Sequence, residues 1–158
     1  MMMKLIIMMK KQNGIKMGRV CELIKLADKW YSNKKFRHAI RVAEYAMEQP
    51  FLSKTEFELR ESLFVVGLLH DVLEDTKITP KEFYECPYIH ENEYKAIEIL
   101  THNKEKCSYE EYIQKIIDSK NLLAFLVKKA DLKDHLTMTD TLTDKLKNKY
   151  YPIIKYFL

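Results

Sequence analysis

ESLFVVGLLHDVLEDT, residues 61–76, runs apolar side chains straight into His70-Asp71 and, one turn later, into Glu74-Asp75. Leu63, Val66, Leu69 and Val72 keep helical spacing, not the alternation of a strand. Ser53 and Glu56 are spaced as a capping box that opens this helix, and Asp75-Thr76 is predicted to close it. Packing does not explain ionisable groups at the end of a helix this apolar, because burying a charge without a partner is costly. The stretch therefore predicts a core helix that carries chemistry at its end.

The flanking sequence keeps the helical period. Val20, Leu23, Ile24, Ala27 and Trp30 form one amphipathic stripe, and Phe36, Ile40, Ala43 and Ala46 form another over Lys35–Glu48, which Pro50 ends. Downstream, Thr79-Pro80 with Glu82 starts a short helix, and Tyr94, Ile97, Ile99 and Leu100 predict one ending near Asn103. Ser108 with Glu111, and then Asn121, open two more. The tail from Asp140 to Leu158 is helical in pattern, with a kink or a stop near Tyr151 expected from Pro152. No run alternates like a half-buried strand, and no repeat or Ser/Gly linker divides the chain. The expectation is an all-α, single-domain bundle of about seven helices with short connections. Residues 17–158 are read as that domain, and residues 1–16, with MMMKLIIMMKK and Asn13-Gly14, as a poorly ordered leader.

A chain of 158 residues and 18.9 kDa, 47% hydrophobic and 32% charged, is one domain's worth with enough apolar matter for a core. Its 3 glycines, Gly14, Gly18 and Gly67, cannot build a phosphate-cradling glycine loop. The net charge of +4, with both signs interspersed, suits a small anionic substrate and does not point to nucleic acid. Cys21, Cys86 and Cys107 are odd in number and far apart, as expected of free thiols in a reducing compartment. The apolar run at the start is too short to span a bilayer, so the expectation is a cytoplasmic protein with no membrane partner. A homo-oligomer is left open.

On one continuous helix, His70 and Glu74 are neighbours one turn apart, and so are Asp71 and Asp75. Imidazole nitrogen and carboxylate oxygen together suit Mn, Fe or Zn better than Ca. Further ligands must come from other helices. His38 lies in the second helix, and Asp131 follows the apolar run Leu122–Val127. One divalent ion held by His38, His70, Asp71 and Asp131 would satisfy all four; the alternative is a solvated acidic turn at a helix end. Lys35, Arg37, Arg41, Lys128 and Lys129 are candidates to neutralise phosphate, and Tyr109 and Tyr112 to stack on a base. No Ser or Cys has a plausible triad around it.

The order His38, His70-Asp71, Asp131 resembles the HD superfamily of metal-dependent phosphohydrolases. LLHDVLEDT is similar to the HD-x-x-ED motif of the RelA/SpoT-type alarmone hydrolases, including the small stand-alone ones, and HAIRVAEYA resembles that group's segment around its first histidine. The resemblance covers roughly residues 20–138, with LTHNKEKCSYEEYI also in the family's style. It implies an HD-type helical bundle, and Mn²⁺ held by His38, His70, Asp71 and Asp131. It also implies water activation by Glu74 and Asp75. The reaction implied is guanosine 3′,5′-bis(diphosphate) 3′-pyrophosphohydrolysis, the alarmone chemistry of the stringent response. Two features depart from the family. His135 stands where an Asn usually helps to place the nucleotide, and so joins Lys35, Arg37, Arg41 and Lys128 on the substrate side. The basic loop before the first histidine is compressed to YSNKKFR. The alternatives are another nucleotide or nucleoside monophosphate as substrate, or a nucleotide-binding module without turnover.

Overall fold

The computed structural model describes residues 17–49 and 56–158. It is all-α, with no strand among the described residues. The helices are α1 (Met17–Trp30), α2 (Asn33–Met47), α3 (Phe57–Leu69), α4 (Val72–Asp75), α5 (Pro80–Tyr84), α6 (Glu91–Leu100), α7 (Tyr109–Asp118), α8 (Leu122–Thr137) and α9 (Asp144–Ile154). A 3₁₀ turn, Thr139–Thr141, links α8 to α9. None of these helices is long and apolar enough to cross a membrane.

The starts follow from side chains that satisfy their own backbone. Thr79 with Glu82 and Ser108 with Glu111 form reciprocal capping boxes, and Asn121 accepts from the Ala124 amide. Ser32 and Thr143 cap α2 and α9 in the same way. The predicted signals at Ser53 and Pro50, and the leader over 1–16, lie outside the described residues.

α3 is the central helix. Every residue from Glu61 to Leu69 is buried, and α1, α2, α6 and α8 all pack on it. Gly67 lets α2 and α3 meet at backbone contact, since a Cβ there would stand 2.7 Å from Ala43 Cα. α8 packs on both α2 and α3, so the three helices share one junction. At the far side of α3, an ionic cluster ties α1, α3 and α6 together. Arg19 Nη1 donates to Glu93 Oε2 at 2.8 Å and Arg19 Nε to Glu61 Oε1 at 3.1 Å, while Ser62 donates to Glu93 Oε1 at 2.8 Å.

Two sequence expectations are corrected. The long helix predicted to run on to Asp75-Thr76 stops at Leu69; His70-Asp71 form a turn and α4 restarts at Val72. The His70 ring competes for the carbonyl that would continue the ladder. Its Nδ1 donates to Gly67 O at 2.7 Å, the acceptor the residue-71 amide uses in an unbroken helix. His70 and Glu74 therefore do not belong to one continuous helix, although the Glu74 and Asp75 amides both return to Asp71 O. Secondly, no stop occurs near Tyr151, because α9 continues through Pro152 to Ile154. Pro152 and Asn148 are both exposed, so the carbonyl that loses its amide partner faces water.

Candidate metal centre

The junction of α2, α3 and α8 gathers the polar groups that the apolar core leaves at its edge. His38 comes from the second turn of α2, His70 and Asp71 from the break between α3 and α4, and Asp131 and His135 from one face of α8. Asp131 lies inside α8, one turn before His135.

The reactive atoms face one another. His38 Nε2 is 3.3 Å from Asp131 Oδ1 and 3.8 Å from Asp71 Oδ2. His70 Nε2 is 3.3 Å from Asp71 Oδ2 and 3.7 Å from Asp131 Oδ1. Ligands about 2.0–2.2 Å from one metal stand about 3–3.6 Å apart at octahedral or tetrahedral angles, close to these separations. His38 Nε2, His70 Nε2 and Asp131 Oδ1 are buried and have no hydrogen-bond partner. Buried polar atoms are rarely left so, and three converging on one point suit the sharing of a cation. Two overlapping groups, His38 with His70 and Asp71, and His38 with Asp131 and His135, each keep their ligand atoms within 4.8 Å and could hold a metal ion.

The outer contacts set the histidines for this. A carbonyl can only accept, so His70 Nδ1 carries the proton toward Gly67 O and Nε2 presents its lone pair inward. His38 Nδ1 donates to Asp134 Oδ2 at 2.7 Å, which leaves Nε2 free in the same sense. Asp134 is itself clamped by Arg41, with Nε 2.6 Å from Oδ1 and Nη2 3.0 Å from Oδ2. Lys128 Nζ donates to Asp131 Oδ2 at 2.8 Å and turns the other carboxylate oxygen to the centre. Burial opposes charge on Asp131, but the Lys128 ammonium holds its pKa well below the usual carboxylate range. Burial likewise opposes charge on His70, yet Asp71 and Asp131 hold its pKa well above the ordinary value, so a proton and a metal ion would compete for Nε2.

A cavity of about 750 Å³ opens onto the centre. Lys35, Arg37, Arg41, Lys128 and His135 all line it, as do Glu74 and Asp75. Lys129 does not. Several of these groups are already engaged. Glu74 Oε1 accepts the His102 amide at 2.6 Å, and Asp75 Oδ2 pairs with Lys35 Nζ at 2.7 Å. Tyr112 is buried, donates to Leu100 O at 2.6 Å and stacks on His102. Tyr109 lines the cavity, and Lys149 Nζ stands 4.4 Å from its ring centre.

Sequence reasoning passed over Asp134, Tyr150, His102 and Lys149, all of which line the cavity. Asp134 had a signal, since it follows Asp131 by three residues and precedes His135 on the same stretch of α8. Comparison with protein-family models and with curated proteins finds no match to this chain.

Proposed function

We propose that the chain is a metal-dependent nucleotide phosphohydrolase, and that it removes pyrophosphate from the 3′ position of a guanosine 3′,5′-bis(diphosphate). The observation that carries the hydrolase reading is the convergence of His38 Nε2, His70 Nε2 and Asp131 Oδ1, buried and unpartnered, beside a cavity lined by Lys35, Arg37, Arg41 and Lys128. The alarmone rests on the resemblance of LLHDVLEDT and HAIRVAEYA to the RelA/SpoT-type group.

His38, His70, Asp71 and Asp131 would hold a divalent ion, with Mn²⁺ the ion that the resemblance implies. Such an ion polarises a phosphoryl oxygen and makes a nucleophile available at neutral pH. The chain's own groups do the rest. Lys35, Arg37 and Arg41, which line the cavity, neutralise phosphate charge. Asp134 and Gly67 O keep the His38 and His70 lone pairs turned inward. Glu74 Oε2, the oxygen not bonded to the His102 amide, accepts the proton of the attacking water. Adding water across the 3′ phosphoester leaves guanosine 5′-diphosphate and pyrophosphate.

A nucleotide-binding module without turnover is the competing reading, and one observation favours it: Glu74 and Asp75 are both already bonded to other groups. Chromatography of products from a nucleotide panel, after chelation and metal add-back, separates the two. Metal-dependent release of pyrophosphate from the guanosine tetraphosphate supports the proposal. Release of single phosphates moves the chain to another nucleotide substrate, and binding without product makes it a binding module.

A further inference from the structure

His135 stands on the substrate side of the reading above, but its contacts point inward. Its Nε2 is 3.2 Å from Asp131 Oδ1, the oxygen that His38 Nε2 meets at 3.3 Å and His70 Nε2 at 3.7 Å. None of these approaches makes a hydrogen bond, and Asp131 Oδ1 has no partner. Three imidazole nitrogens around one carboxylate oxygen, all unbonded to it, are not arranged as proton donors. From 3.2 Å at His135 and 3.3 Å at His38, an N–H aimed at Oδ1 would close a hydrogen bond. Lone pairs that share a cation with that oxygen produce this pattern.

The ring is held in place for such a role. It stacks on Tyr150, with centres 4.9 Å apart and planes at 22°, and its centre is 4.8 Å from that of His38. Tyr150 is buried from α9, so the last helix of the chain fixes this orientation. The His38, Asp131 and His135 ligand atoms all lie within 4.8 Å of one another.

We propose that His135 Nε2 is a third imidazole ligand of the ion held by His38, His70, Asp71 and Asp131. The proposal rests on the metal-centre reading above. Its chemical consequence is a shift in preference. Carboxylates suit Mn²⁺, whereas imidazole suits borderline ions such as Fe²⁺, Co²⁺ and Zn²⁺, which also stand above Mn²⁺ in intrinsic affinity. A third imidazole therefore moves this centre away from Mn²⁺.

The test needs no nucleotide. Wild type, His135→Gln and Asp131→Asn are stripped with chelator and titrated with Co²⁺ and separately with Mn²⁺, by calorimetry and by the visible absorption of the cobalt form. Gln keeps an oxygen donor of similar reach, so it removes the imidazole but not the bulk. The proposal expects His135→Gln to weaken Co²⁺ binding by at least about 10-fold, the lower end of what even outer-shell partners contribute. Mn²⁺ binding should fall less, so the Co²⁺-to-Mn²⁺ affinity ratio drops and the cobalt spectrum changes. X-ray absorption of cobalt-loaded wild type should count three imidazoles, a result that does not depend on any variant folding. If His135→Gln keeps the wild-type affinity, ratio and spectrum while Asp131→Asn loses the ion, His135 is a wall of the cavity and the metal centre stands without it. Two imidazoles in the wild-type count overturn the proposal in the same way. If wild type binds neither ion, the underlying centre falls with it.

Discussion

Replacing Gly67 by alanine tests the packing that brings His38 to His70. The new Cβ would lie 2.7 Å from Ala43 Cα, 3.0 Å from Ala43 N and 3.3 Å from Val42 C. All three are backbone atoms, so no side chain can swing aside. Carbon atoms rest at about 3.5–4.0 Å, and α2 must therefore retreat by about 1 Å. Overpacking of this kind costs about 1–3 kcal/mol. Alanine returns about 0.5–1 kcal/mol of helix propensity in the last turn of α3. At the midpoints of these ranges the net expectation is a loss of about 1.3 kcal/mol, or a Tm lower by about 2.5–5 °C for a domain of this length. The same shift disturbs the Gly67 carbonyl, which receives His70 Nδ1 at 2.7 Å, so metal affinity should fall with stability. Thermal unfolding in chelator isolates the packing cost, because bound metal would otherwise add its own stabilisation. Metal titration of the folded variant then reads the coupling to His70. An unchanged or higher Tm would show that α2 and α3 part freely, and the packing argument would be wrong. A lower Tm with wild-type metal affinity would refute only the link to His70.

Asp134→Asn should keep the fold but let an amide donate to His38 Nδ1, turning the proton to Nε2 and weakening metal binding by about 10–100-fold. Calorimetry decides it, and wild-type affinity would remove Asp134 from the centre's support. Glu74→Gln should lower turnover by about 10²–10⁴-fold while metal binding stays close to wild type. Full activity in that variant would mean that another group takes the proton. Glu93→Ala strips Arg19 and Ser62 of a fully buried partner, and breaking a buried pair costs about 3–5 kcal/mol. Chemical denaturation measures this, and a cost typical of a surface ion pair, below about 1 kcal/mol, would show that the cluster contributes little.

What could be read from the sequence, and what could not, divides by the distance along the chain over which a contact acts. Thr79 with Glu82, Ser108 with Glu111 and Asn121 with Ala124 act within three residues, and each helix start they signalled is present. His38, His70, Asp71 and Asp131 stood out because polar groups interrupt or follow apolar runs, and the fold does bring them together. The break at His70 was hidden because it depends on where one ring turns. Nothing in the letters tells whether His70 Nδ1 seeks the Gly67 carbonyl or water. Glu93 reads as an ordinary surface residue in ENEYKAIEIL, yet it is wholly buried, because its cation, Arg19, lies 74 residues away. Asp134 is the same case. Its partners His38 and Arg41 are 96 and 93 residues distant, and along α8 alone it resembles one more solvated carboxylate. A carboxylate becomes a support for a histidine only when another helix supplies both the ring to be aimed and the guanidinium that fixes the aim. Here that helix is α2, and the close passage at Gly67 sets how near it comes.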